Sequence, residues 1–343
     1  MQNLLSFSKI FYLPIALLFF YTLEAQPSKV NWLSFEEAFA KIEEQPKPLL
    51  IDFYTSWCGW CKTMMKTTYS DEELAAYINA NFYPVKFDAE GKDTITYFGK
   101  QYVSTHATKK AVHQLAVKLL GNRQSYPSTL FVDPSTKFAL LVPGYIKPPK
   151  MPPFLMYMVE NMFKTTTYPN FEKYYDLANE SIEIVPKETE DLTVEWLTVE
   201  AAMKKFKKKP KKLLFNFYTD WCNGCKIMAK TTFTDPAIVE YINENFYAVN
   251  FDATSDENIQ FLTDELKGAS ANQTPFHQFF LVLTNNKPML PTVILMSDKP
   301  EMLLNLPFYR TPEDLKPLLK YYGDDMQAEM TWEEYQKSLK NSQ

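Results

Sequence analysis

The stretch Leu50-Ile51-Asp52-Phe53-Tyr54-Thr55-Ser56-Trp57-Cys58-Gly59-Trp60-Cys61-Lys62 sets the fold. Leu49 to Tyr54 is short and apolar apart from Asp52, which predicts a buried strand. A cysteine-containing turn follows, and Lys62 to Tyr69 is expected to be helical. At a helix N-terminus the free backbone N–H groups and the macrodipole favour an anion. Cys58 sits there, so its thiolate is expected to be stabilised, and the thiolate is the nucleophile of disulfide exchange. Cys61, one turn later on the same face, is placed to attack the resulting mixed disulfide. Asp52, surrounded by apolar residues, is expected to be buried, a setting that raises a carboxyl pKa.

Moving outward, the chain is one unit written twice. At an offset of 164, residues 31–95 pair with 195–259 without a gap, and 32 of the 65 positions are identical. Cys58 and Cys61 meet Cys222 and Cys225, Pro127 meets Pro291, and His113 meets His277. The 343 residues suffice for two domains. The expected division is a signal peptide over 1–25, domain 1 over 27–175, a polar, acidic linker over 176–193 and domain 2 over 194–343. Within one copy, helices are expected over Trp32 to Glu44, Asp71 to Asn81 and Phe154 to Phe163. Strands are expected over Phe82 to Asp88, Thr129 to Val132 and Phe138 to Val142. Residues 93–120 read as helical. Strands alternating with helices imply an α/β fold with a central sheet covered on both faces.

The sequence around the first cysteine pair resembles the active-site segment of the thioredoxin family, closest to its exported thiol-disulfide interchange branch. That resemblance implies two tandem thioredoxin-fold domains, each a central mixed sheet flanked by helices. It makes Cys58 the nucleophile, Cys61 the resolving thiol and Asp52 the group that assists proton transfer at Cys61. It makes Pro127, in Ser125-Tyr126-Pro127-Ser128-Thr129, the cis-proline opposite the active site, and Pro143-Gly144-Tyr145 the later turn. Cys222, Cys225 and Pro291 take the same positions in the second copy. There the pattern departs, because Asn216 replaces the buried acid and Phe308 stands at the place of Gly144. Asn cannot exchange a proton at neutral pH, so the second centre is expected to be slower or differently poised. Trp57, Trp60, Tyr126 and Trp221 are expected to line the substrate groove around the thiol pairs.

Composition narrows the rest. A net charge of -5 gives no footing for nucleic acid. Ile10 to Leu23 is an apolar run too short for a span of about 20 residues. Followed by Leu23-Glu24-Ala25, it reads as a cleaved secretory signal, leaving no stable membrane insertion and a periplasmic or extracellular location. Four cysteines in two pairs, with Cys61 and Cys222 161 positions apart, do not have the spacing of a zinc site. No glycine-rich nucleotide loop is present, so no cofactor is expected, and electrons would pass through a membrane or soluble thiol partner. Substrates are expected to be proteins with disulfides or thiols, with reduction the preferred direction. The alternative is a binding or chaperone module with limited redox activity. His113 and His277 read as structural, and the lysine-rich run Lys204 to Lys212 as a solvated helix end.

Overall fold

A computed structural model describes residues 28–104, 111–121, 124–179 and 193–341. The first repeat runs α1 (Phe35–Glu44), β1 (Leu49–Tyr54), α2 (Gly59–Lys66), α3 (Glu72–Asn81), β2 (Tyr83–Asp88), β3 (Ile95–Tyr97), β4 (Lys100–Tyr102), α4 (Gln114–Leu120), β5 (Ser128–Val132), β6 (Ala139–Pro143), α5 (Pro152–Val159) and α6 (Tyr168–Asn179). The second runs α7 (Val199–Lys208), β7 (Lys212–Tyr218), α8 (Asn223–Lys230), α9 (Pro236–Asn245), β8 (Phe246–Asp252), β9 (Ile259–Phe261), β10 (Asp264–Leu266), α10 (Gln278–Leu283), β11 (Thr292–Met296), β12 (Met302–Pro307), α11 (Pro312–Gly323) and α12 (Trp332–Asn341). Signal residues 1–25 and positions 180–192 of the expected linker lie outside the described residues.

Each repeat builds a mixed sheet flanked by helices. The first has order β2-β1-β5-β6, with β1 parallel to β2 and antiparallel to β5. The second has the equivalent order β8-β7-β11-β12. Single parallel bridges from Leu33 to Val85 and from Leu197 to Val249 continue each sheet by one contact. Helix starts follow their caps: Ser34 and Glu37 close a capping box on α1, and Asp71 caps α3.

Period-two alternation then assigns the faces of β1. Leu49, Ile51 and Phe53 enter the core beneath α1 and α4, while Leu50, and with it Asp52, points to the opposite face. That opposite face does not stop at the domain boundary. One continuous core runs from Leu50, Tyr69 and Phe131 through Leu155, Met162 and Phe171 to Ile227, Tyr309 and Leu319. The two repeats therefore pack on shared apolar ground, and burying one side chain such as Phe171 contributes roughly 1.5–3 kcal/mol.

The expectation of a helical segment over 93–120 is corrected. Residues 95–102 form a hairpin, and among the described residues of this stretch only Gln114–Leu120 is helical. Its turn is Phe98-Gly99, both at positive φ (46° and 75°), the conformation that closes a two-residue hairpin loop. The lysine-rich run is also only partly solvated. Lys211 donates to the Asn243 carbonyl, and Lys212 pairs with Asp325 at 2.7 Å.

Candidate active site

Cys58 is the N-cap of α2, and its Sγ accepts the Cys61 N–H at 3.1 Å while bonded to Cys61 Sγ. The apolar β1 delivers the chain to this point, and the turn leaves the helix donors facing the sulfur. Cys222 and Cys225 repeat the arrangement on α8, with the Cys225 N–H on Cys222 Sγ at 3.1 Å. All four sulfurs are thus in disulfides, each at the positive end of a helix. Tyr126-Pro127 and Leu290-Pro291 are cis.

Around the first pair, Trp57 and Trp60 are 64% and 63% exposed, large apolar surface held at the mouth of the site. Trp57 packs edge-on to Tyr126 and donates its indole N–H to the Glu90 carboxylate at 3.1 Å. Trp60 stacks on Tyr145. Trp221 is equally exposed in the second repeat, tilted against Phe276.

Asp52, on the strand that leads to the first pair, is fully buried. Tyr69 Oη donates to its Oδ1 at 3.4 Å, and Oδ2 has no hydrogen-bond partner. Burial pushes its carboxyl up to about 7, against the opposing pull of the Lys86 ammonium and the Tyr69 hydroxyl. Lys86 is paired in register with Asp52 on the neighbouring strand and lines the same small pocket as Cys61.

The second repeat dismantles this arrangement position by position. At the same offset Asp52 becomes Asn216, Lys86 becomes Asn250, Tyr69 becomes Phe233 and Thr129 becomes Val293. Asn216 donates to Asn250 at 2.8 Å, a neutral, satisfied pair in place of an ionisable one. Phe308, at the Gly144 position, takes φ 72° where Gly144 takes 91°. It lines a cavity of about 380 Å³ with Trp221, Cys222 and, from domain 1, Tyr77 and Glu160.

The histidines are structural. His113 Nδ1 accepts the Leu115 N–H at 3.1 Å and its Nε2 donates to the Asp93 carbonyl at 2.9 Å. His277 makes the same two bonds, with Phe279 and Glu257. Both rings are fully buried helix caps with no nitrogen left for chemistry. The residues missed from sequence are Tyr69, Lys86, Glu160 and Gly224. Tyr69, Lys86 and Gly224 stand among the 33 of 65 aligned positions at which the repeats differ, and Glu160 lies outside that alignment.

Residues 19–167 match the family model Thioredox_DsbH, described as a protein of unknown function, DUF255, and residues 199–323 match the model of a thioredoxin-like domain. The chain belongs to the thioredoxin family. Spermatogenesis-associated protein 20 of Rattus norvegicus is 30% identical over 76 residues, 22% of this chain and 10% of that protein. Chloroplastic thioredoxin Y of Oryza sativa subsp. japonica is 36% identical over 69 residues, 20% of this chain and 38% of that one. The chain thus spans about a tenth of the length of the first relatives it matches. Among solved structures, a thioredoxin-fold protein from Helicobacter pylori aligns with TM-score 0.31 and 21% identity, covering 38% of this chain and 81% of that one. A putative disulphide-isomerase from Bacteroides thetaiotaomicron aligns with TM-score 0.28 and 27% identity, covering 40% and 98%. Two thioredoxin-like domains thus each carry a Cys-X-X-Cys disulfide at a helix N-terminus.

Proposed function

We propose that this protein reduces disulfide bonds of other proteins in an exported compartment, with domain 1 as the faster centre. The Cys58 thiolate attacks one sulfur of a substrate disulfide and the first substrate thiolate leaves. Asp52, through the Lys86 side of the pocket, takes the proton of the Cys61 thiol. Cys61 then attacks Cys58 Sγ, the second substrate thiolate leaves, and the Cys58–Cys61 disulfide remains. Two electrons have passed to the substrate, and the Asp52 proton is returned to a departing thiolate. A dithiol protein, soluble or membrane-borne, restores the reduced pair by the reverse exchange. Cis-Pro127 and the Trp57, Trp60 and Tyr126 rings form the surface against which an extended substrate segment lies.

The observation that carries this reading is the pairing of a sulfur at the N-cap of α2 with a buried carboxyl whose pKa lies near neutrality. A general base works best when its pKa is close to the working pH. Asn216 removes that base from domain 2, which supports a slower Cys222–Cys225 centre. For the compartment, the supporting feature is the apolar run before Ala25, which predicts a mature N-terminus at Gln26. Among the described residues no helix is long and apolar enough to cross a membrane.

The test is insulin reduction by the full chain with dithiothreitol as electron source, together with the reduction potential of each pair in glutathione buffers. Cys58→Ser is expected to abolish most of the acceleration, and an unchanged rate defeats the enzyme reading. A Cys58–Cys61 potential near about −270 mV supports a reductant, whereas one near about −120 mV makes the pair an oxidant.

A further inference from the structure

Domain 2 has no acid at the Asp52 position, yet an acid reaches its cysteine pair from the other domain. Glu160, the residue that closes α5, accepts the Gly224 backbone N–H on its Oε2 at 2.7 Å. Gly224 lies between the two cysteines, in the first turn of α8. A Cβ on that residue would stand 2.9 Å from Glu160 Oε2, 3.1 Å from Met162 Cε and 3.3 Å from Pro291 Cδ. The equivalent position in domain 1 is Trp60, which is exposed. Absence of a side chain at residue 224 is therefore what admits the carboxyl.

We propose that Glu160 is a positioning residue for the Cys222–Cys225 centre: as a carboxylate it shares the N-terminus of α8 with Cys222 and so holds the reduced Cys222 as a neutral thiol. The proposal rests on the reading that this second pair exchanges disulfides. Its physical basis is that one helix terminus offers roughly half a positive charge. Cys222 Sγ takes the Cys225 N–H there, and Glu160 takes the Gly224 N–H just before it. Two anions so placed repel each other, and their protons bind as a coupled pair. The other groups facing Glu160 are Lys226 on α8, which favours its charge, and Tyr77 on α3, whose hydroxyl burial and Glu160 push up. Burial raises the Glu160 carboxyl, against the Gly224 and Asn223 hydrogen bonds.

Reduction breaks the Cys222–Cys225 bond and draws two electrons from a dithiol, which leaves as a disulfide. One proton goes to Cys225. The second goes to Cys222 while Glu160 stays ionised. At a pH where Cys222 ionises, its thiolate gains less from the helix, so the reduced form is less favoured there and the pair is a stronger reductant than it would be without the acid.

The experiment uses the full chain with Cys58→Ser and Cys61→Ser, so that only the second pair reports. Thiolate absorbance against pH gives the Cys222 pKa, and glutathione buffers give the redox equilibrium. Glu160→Gln keeps an oxygen for the Gly224 N–H but removes the charge. The Cys222 pKa is expected to fall by about one. At a pH above both Cys222 pKa values the equilibrium is expected to move about tenfold toward the dithiol, about 30 mV for a two-electron couple. Identical values in both proteins overturn the proposal, since a merely structural cap survives this change. If the pair equilibrates with glutathione in neither protein, the exchange reading of domain 2 fails and the proposal with it. A measurement without any change at Glu160 guards against misfolding. The Cys222 thiol should titrate above Cys58, the latter read in a chain with Cys222→Ser and Cys225→Ser, and a value at or below Cys58 overturns the proposal.

Discussion

Asp52→Asn should make the oxidised protein more stable and a worse catalyst, and the stability gain should depend on pH. The folded carboxyl is raised from 3.8 to about 7 by burial. Between those two values the native state keeps a proton that the unfolded chain has released. Stability from this group is complete below the unfolded value, falls as pH rises through the window, and is lost above about 7. A tenfold change in proton affinity corresponds to about 1.4 kcal/mol, so a carboxyl raised this far costs the folded state about 4 kcal/mol once the pH exceeds both values. Asn carries no such penalty. Domain 2 shows that the fold accepts an amide at this strand position, with Asn216 Nδ2 donating to Asn250 Oδ1. In domain 1 the introduced amide faces Tyr69 and Lys86 instead, which costs part of the gain.

Urea unfolding of the disulfide form, followed by tryptophan fluorescence, reads the difference between variant and parent. That difference should be small near about pH 4 and approach about 4 kcal/mol near about pH 8.5. A difference that stays constant across this range would refute the titration assigned to Asp52. The same variant should reduce insulin at least about a hundredfold more slowly, the usual contribution of a positioned base. A pH-dependent gain in stability with no loss of rate would leave Asp52 as a buried acid and remove it from the mechanism.

Cys61→Ser should leave the first attack intact and strand Cys58 in a mixed disulfide with its substrate, visible as a higher-mass band on non-reducing electrophoresis. Gly144→Ala should cost about 1 kcal/mol in thermal unfolding, because φ 91° disfavours any Cβ although no atom lies within 4 Å of it. His113→Ala should cost about 2–3 kcal/mol through the uncapped Leu115 N–H and the unpaired Asp93 carbonyl, while insulin reduction per folded molecule stays unchanged.

The parts legible in the sequence share a cause. β1, the cysteine turn and the start of α2 are specified by residues adjacent in the chain, and the 164-residue offset doubled every such signal. The depth of Asp52 followed from Leu50, Ile51 and Phe53 around it. Residues 93–120 failed because the turn chemistry of Phe98-Gly99 is carried by backbone conformation, with a bulky residue where Asn or Asp is usual. Glu160 was out of reach for a different reason. It stands 64 positions from Gly224 and acts across a domain boundary, so no local period points to it. Tyr69 and Lys86 meet Asp52 only once three separate elements have packed.

The asymmetry between the two repeats then has a structural meaning beyond one missing acid. A lone exchange of Asp52 for Asn would leave a lysine and a tyrosine hydroxyl facing an amide, but Asn216 is accompanied by Asn250, Phe233 and Val293. The interior of domain 2 is built for a neutral pair. Its outer face differs to match. Tyr145 is half-buried under Trp60 in domain 1, whereas the equivalent Tyr309 is fully enclosed, its carbonyl bonded by Thr165 and its ring packed on Phe171. Domain 1 therefore covers in domain 2 the surface that it leaves open on itself. Cys58 thus stands beside the exposed rings of Trp57 and Trp60, while Cys222 and the equally exposed Trp221 open onto a cavity walled by both domains.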